Sequence, residues 1–150
     1  MSDDDRQVSV QKIYLLDASV EVPKAPEIFT KQWKPEVDVQ LGTSTKQLAE
    51  TTHQVQIKVT VTAKLEDTVA YLVETEYAGI FDIKGIDDKE QLKAVLGGYC
   101  PGLIFPFLRE GASDLVQRAG FPQFLLQPVN FDALYQQHVA KQSESEETAH

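Results

Sequence analysis

The feature that most constrains the fold of this chain is a strict alternation of apolar and polar residues from residue 54 to residue 64. Val55, Ile57, Val59, Val61 and Ala63 alternate with Gln, Lys and Thr side chains. A period of two places the five apolar side chains on one face of a β-strand. Such a strand needs strand partners on its edges and an apolar cover on one face, and the chain has to supply both.

Three further segments have strand character, near residues 8–22, 35–41 and 68–83. The short connection at 65–67 predicts an antiparallel hairpin between the last two strands. Residues 42–52 fit either a strand extension or a loop. Alternation places Asp17 and Glu21 on one face of the first strand, and Leu72, Glu74 and Glu76 on one face of the fourth. If these two faces lie on the same side of the sheet, they form either a solvated surface or an acidic patch suited to a basic partner.

Residues 97–135 supply the cover and contain more apolar surface than a small sheet needs, which indicates association. Gly97 and Gly98 are expected to end a short helix that Asp87 caps. A long apolar helix follows, with Pro106 marking either a kink or its true start, and Gly120 marking its end. Asn130 is expected to cap a last helix. Four strands followed by helices predict the α+β class, a four-stranded antiparallel sheet with helices packed on one face.

The segment PKAPEIFTKQWKPEV connects the first two strands and has three prolines. We interpret it as a crossover loop with one helical turn near residues 27–31. Trp33, the single tryptophan, either fixes the loop to the core or, together with Phe29, lines an apolar binding surface.

A chain of 150 residues suits one domain, which we place at residues 8–140 between a disordered acidic tail at 1–7 and a mobile acidic tail at 141–150. The net charge of −9 argues against nucleic acid as a partner. The single cysteine suits a reducing compartment, and we see neither a signal peptide nor an apolar run long enough to cross a membrane. We therefore expect a cytoplasmic protein that does not insert into membranes.

Motifs for catalysis, phosphate binding and metal binding are missing from the sequence. Cys100 lies at a helix start, where a thiol can be acidified, although a lone cysteine in an apolar context usually has a packing role. The residues leave two hypotheses open at this point, a small-molecule or lipid carrier with a pocket between sheet and helices, and an enzyme that uses Cys100.

Several segments together resemble SecB, the bacterial protein-export chaperone family. They are IYLLDASVEVPKAPEIF, FTKQWKPEV, YAGIFDIKGI, GGYCPGLIFPFLRE and FPQFLLQPVNFDALY, and the resemblance covers residues 8–138. It implies a chaperone without cofactor or catalysis that holds unfolded preproteins and delivers them to the SecA ATPase. It also implies a homotetramer built as a dimer of dimers.

The resemblance assigns residues to three surfaces. For SecA binding it implies Asp17, Glu21, Leu72 and Glu74, the same residues that strand alternation places outward. For client binding it implies Phe29, Trp33, Phe124, Leu126, Phe131 and Leu134. For the oligomer interface it implies Tyr71, Val73, Tyr77, Phe105, Leu108, Ala112 and Leu115.

Overall fold

The computed structural model describes the backbone of residues 7–148 and the side-chain environment of residues 7–142. The strands are β1 Gln7–Glu21, β2 Glu36–Gln47, β3 Thr52–Leu65 and β4 Thr68–Lys84, and a 3-10 turn Glu27–Thr30 lies between β1 and β2. The helices are α1 Lys89–Ala94, α2 Cys100–Arg118 and α3 Phe131–Thr148. The predicted α+β class is confirmed, and residues 42–47 continue β2.

The four strands form one antiparallel sheet in the order β1-β4-β3-β2. β3 and β4 are central, and β1 and β2 are the edges. We call the side of the sheet that α2 covers the inner face, and the opposite side the outer face. All five alternating residues of β3 point to the inner face and are fully buried, as predicted. On β4 the inner residues include Tyr71, Val73 and Phe81, each opposite an inner residue of β3.

β1 departs from the strict alternation that its sequence suggests. Its pairing with β4 is shifted between Val10 and Lys12, and again between Leu15 and Asp17. Each β-bulge adds one residue and reverses the direction of the side chains that follow. Ile13 and Leu15 therefore lie on the inner face, whereas strict alternation along this strand would place them on the outer face with Asp17 and Glu21. The second bulge restores the phase, so Asp17 and Glu21 point outward as predicted.

The predicted helix stop at Gly97–Gly98 is wrong. Residues 89–118 form one continuous helical run, in which residues 95–99 make a π-helical turn between α1 and α2. Neither glycine has a positive φ, so neither acts as a C-cap. The cap at the start of α1 is also displaced by one residue, because the Asp88 side chain, rather than that of Asp87, accepts a hydrogen bond from the Glu90 N–H at 3.0 Å.

α2 passes through Pro106 without interruption and packs one face on β3 and β4. The buried side of this helix includes Ile104, Leu108, Ala112 and Val116, spaced three to four residues apart. Gly120 ends the helix with a φ of 96°, which confirms the predicted C′ glycine.

Asn130 caps α3 as predicted, since its side-chain oxygen accepts a hydrogen bond from the Ala133 N–H at 3.0 Å. α3 continues to Thr148, beyond Lys141, where the sequence predicts a polar tail. Residues 141–148 are therefore helical, and the mobility of this segment stays a prediction. The predicted N-terminal tail lies outside the described residues except for Gln7, which begins β1.

Candidate functional surfaces

An aromatic cluster fixes the crossover loop to the sheet. Phe121, which follows α2, lies at its centre, with ring centroids 5.0 Å from Phe29, 5.1 Å from Trp33 and 5.0 Å from Tyr71. Trp33 also stacks on Tyr71 at 6.2 Å and is half-buried. The two interpretations of this loop apply to different aromatic residues. Trp33 packs against the core and fixes the loop, whereas Phe29 remains 49% exposed and offers apolar surface.

A second apolar feature is the cleft between β2 and α3, with a volume of about 370 Å³. We call it the β2–α3 cleft. Leu41 and Thr43 line it from the strand and Tyr135 from the helix; the other lining residues are Gly97, Phe131, Leu134 and His138. Leu134 is 46% exposed, so it offers apolar surface at the mouth of the cleft.

Strand register connects the aromatic cluster to the β2–α3 cleft. Tyr71 lies opposite Ala63, which in turn lies opposite Val37 on β2. The cleft begins at Leu41 and extends to Thr43 on the same strand and the same face. The two apolar features are thus separated by four to six residues, roughly 13–20 Å along the strand. Val39, half exposed, lies between them.

Two of the predicted client-binding residues do not offer free surface. Leu126 and Phe131 are 5% and 4% exposed, because both pack into the core of the protomer. Phe131 contacts Phe105 edge to face, with 5.6 Å between ring centroids. Phe124 is half-buried against the same core. Leu126 and Phe131 therefore lie beneath the accessible surface in this structure, and their contact with a client stays a prediction.

The four residues predicted for SecA binding lie together on the outer face. Cross-strand pairing places Glu21 opposite Leu72 and Ser19 opposite Glu74. Asp17 lies directly opposite Glu76, which strand alternation places in the acidic patch although the resemblance does not assign it to SecA binding. The outward side chains of β1 and β4 therefore lie on the same side of the sheet, which is the condition under which the sequence predicts an acidic patch. Like charges in directly opposite positions repel each other, so this surface is less stable alone than with a basic partner.

Five of the seven residues predicted for the oligomer interface are buried inside the protomer. Tyr71, Val73, Leu108 and Ala112 are at most 1% exposed and Phe105 is 7% exposed. Their apolar atoms already pack between α2 and the sheet of one protomer, and their contact with another protomer stays a prediction. Tyr77 and Leu115 remain half-buried and accessible.

Accessible apolar surface lies elsewhere, along β1 and the outer ridge of α2. α2 packs mainly over β3 and β4, which leaves the inner face of β1 uncovered. Val10, Leu15 and Val20 are 47%, 51% and 37% exposed there. Leu15 pairs with Tyr77, whose ring centroid is 6.5 Å from that of Phe107 on α2. We call Val10, Leu15, Val20, Tyr77 and Phe107 the β1–α2 surface.

Cys100 lacks the features of a reactive thiol. It is completely buried, and burial raises the pKa of its thiol to about 12. The thiol is therefore protonated at neutral pH, and the thiolate is the form that acts as a nucleophile. Within residues 7–148, no group of three His, Cys, Asp or Glu side chains is placed to hold a metal ion.

A family model described as preprotein translocase subunit SecB matches residues 1–142. The chain belongs to the SecB family. The protein-export protein SecB of Alcanivorax borkumensis is 53% identical over 91% of this chain and 89% of its own. That of Methylococcus capsulatus is 47% identical over 97% of this chain and 95% of its own. The predicted resemblance and the chaperone function are confirmed.

Among solved structures, a SecB-like chaperone of Mycobacterium tuberculosis in complex with a ChAD peptide from an antitoxin has a similar fold. The TM-score is 0.65 at 20% identity, and the match covers 84% of this chain and 88% of the other. This similarity concerns the fold, an antiparallel sheet with helices on one face. No helix in the described part of the chain is both long enough and apolar enough to span a membrane.

Proposed function

We propose that this protein holds unfolded preproteins along the edge of β2 and delivers them to SecA through the outer face of its sheet. The observation that carries the proposal is a pair of apolar features on the inner face: the β2–α3 cleft, and the aromatic cluster, whose Tyr71 is aligned with Val37 of β2 through Ala63 of β3. The acidic residues lie on the opposite side of the sheet. The proposed client surface and the proposed delivery surface are thus separate, and both can be occupied at once.

The client surface suits an extended chain better than a compact ligand. β2 pairs only with β3, so its other edge has unpaired backbone N–H and C=O groups in the described part of the chain. An extended segment can pair with these groups whatever its side chains are. The β2–α3 cleft and half-exposed Phe29 and Leu134 then receive apolar side chains without strict selection of sequence.

Delivery to SecA would use charge together with one apolar contact. Glu21 lies opposite half-buried Leu72, and Glu74 follows two residues along the same strand. Asp17 and Glu76 form an opposed pair further along the sheet, and Lys58 of β3 lies opposite Glu76, so the acidic residues are confined to β1 and β4. Complementary charges raise the association rate and orient the partner, while the apolar centre adds contact area. A partner for this surface would present basic residues around an apolar one.

The working unit in this proposal is a homotetramer in the cytoplasm, where preproteins are held before export. Its support is the β1–α2 surface, because exposed apolar edge strands of this kind promote association. The unit acts without bond chemistry or a bound cofactor. The buried, protonated thiol of Cys100 supports this view.

Client holding is tested by following the aggregation of a chemically unfolded protein, without ATP, by light scattering. The parent protein should suppress aggregation at a stoichiometric amount. Replacing both Phe29 with Ser and Leu134 with Gln should weaken the suppression several-fold, because both side chains offer exposed apolar area without filling the core.

Leu48→Gln is the matched control, since Leu48 is 46% exposed, the same as Leu134, but lies after the end of β2. This variant should hold clients as well as the parent. If the parent leaves aggregation unchanged, the proposed function is wrong. If all variants act equally, client holding uses a surface other than the edge of β2.

A further inference from the structure

The glycine pair in the π-helical turn lies in unusually close contact with α3. A Cβ on Gly97 would be 2.5 Å from Cδ2 and 3.3 Å from Cγ of the Tyr135 ring. A Cβ on Gly98 would be 2.1 Å from the Asp132 Oδ1 and 3.2 Å from the Asp132 Cα. A contact under 3.0 Å requires a neighbour to shift. A methyl group on Gly97 would have to displace the Tyr135 ring, whereas the exposed Asp132 carboxylate can turn away from one on Gly98, which leaves a tight contact of 3.2 Å with the Asp132 Cα.

The backbone gives no other reason for glycine at these two positions. Both lie within a continuous helical run and neither has a positive φ. Glycine in a helix costs about 1 kcal/mol relative to alanine, so two in succession are unfavourable unless something else requires them. The contact with α3 is such a requirement. Gly102, one turn further on, has nothing within 4 Å of its Cβ position and serves as the contrast.

The rest of the protomer holds α3 only weakly. Among the described elements, the Val95–Tyr99 turn is the main packing partner of this helix. Phe131 at its start contacts Phe105, while Leu134 and residues 136–142 are exposed. The angle and height of α3 above the sheet are therefore determined where its first turns meet the two glycines.

This contact lies directly beside the β2–α3 cleft. Gly97 and Tyr135 both line the cleft, together with Leu41 and Thr43 of β2 on the opposite wall. A displacement of the Tyr135 ring moves the helical wall relative to the strand. We propose that Gly97 and Gly98 form a seat for α3 that sets the width of the β2–α3 cleft, and thereby the affinity for extended clients.

The link to client affinity rests on the proposed function, whereas the link to cleft width does not. The two are measured separately. Cleft width is measured by electron paramagnetic resonance between spin labels at Thr43→Cys and His138→Cys, with Cys100 retained because it is buried. Client affinity is measured with a fluorescent, reduced and carboxymethylated lactalbumin, which stays unfolded.

Gly97→Ala should increase the distance between the labels and raise the Kd for the unfolded probe roughly five- to tenfold, because the client loses contact with one wall. Gly102→Ala should change neither quantity. In a Tyr135→Ala background, Gly97→Ala should have no further effect on either, since the ring that the new methyl group would meet is absent.

The seat is ruled out if Gly97→Ala leaves the label distance unchanged, or changes it equally in the Tyr135→Ala background. If the Gly97→Ala variant does not fold, the double variant with Tyr135→Ala decides the question. Folding of the double variant supports the seat, and failure of both variants to fold contradicts it. If the parent does not bind the unfolded probe, the proposed function fails, while the label distance still decides whether the seat sets cleft width.

Discussion

Thr75 lies at the contact between α2 and the sheet, and its polar group is not satisfied there. Its hydroxyl group is buried and, within residues 7–142, has no hydrogen-bond partner. The side chain points toward α2, and its Cγ2 is 3.3 Å from the position that a Cβ on Gly111 would take. Glycine at 111 lets the helix approach β4 closely, but nothing in this contact satisfies the hydroxyl. A buried hydroxyl without a partner reduces stability.

Thr75→Val should therefore stabilise the protein by about 1 kcal/mol, because valine has the same shape and no unsatisfied polar group. The measurement is urea unfolding at equal protein concentration, since association also affects the midpoint. Thr62→Val on the outer face is the matched control and should change stability by less than about 0.5 kcal/mol. An unchanged or lower midpoint for Thr75→Val would mean that the hydroxyl has a partner in solution.

At the scale of elements, the outer face of the sheet shows how two bulges determine a surface. Without the second bulge in β1, Asp17 and Glu21 would point inward, toward the apolar core. With both bulges present, four carboxylates from β1 and β4 share one face around Leu72. A local irregularity of the backbone is thus what brings the acidic residues of the two strands together.

Reversing charge at Asp17 and Glu74 to lysine should raise the Kd for SecA at least roughly tenfold and weaken its salt dependence. Suppression of client aggregation should remain, because the edge of β2 is untouched. Replacing Glu21 and Glu50 with lysine gives a control with the same change of net charge but only one substitution in the acidic surface. An equal loss in both variants would indicate that net charge, rather than this surface, determines the affinity.

At the scale of the whole molecule, the β1–α2 surface has to be covered for the chain to be soluble at high concentration. Large contiguous apolar patches and uncovered edge strands usually mark association sites. Phe107 is 45% exposed and lies beside Tyr77 at the centre of this surface. A second copy of the chain brings the same apolar surface and can cover it.

Light scattering should give a solution mass of four chains for the parent protein and a smaller mass for Phe107→Glu, since a carboxylate there cannot be buried without cost. Leu48→Glu, equally exposed but outside the β1–α2 surface, should stay tetrameric. A parent protein that is monomeric would contradict the assembly, and a Phe107→Glu variant of unchanged mass would place the interface elsewhere.

Local patterns were sufficient for most elements of the fold and for part of the sites. Strand alternation identified β3, and capping residues located the ends of α2 and the start of α3. The same local signals failed at Gly97–Gly98, because glycine stops a helix only when its φ is positive, whereas here it removes a clash with a distant helix. Phe121 was missed because nothing local distinguishes an aromatic residue after a helix from any other.

The sequence by itself determined the α+β class, the family and the outward direction of Leu72 and Glu74. These follow from periodicity and motifs, which are local properties of the chain. Asp17 and Glu21 also point outward as predicted, but only because the two bulges in β1 cancel each other. Only the tertiary structure decided which apolar residues are free. The sequence around Leu108 and Leu126 does not distinguish them from Leu15 and Leu134. In the structure the first two are buried in the core, and the last two remain exposed. Burial depends on which elements pack together, and that is a property of the whole fold.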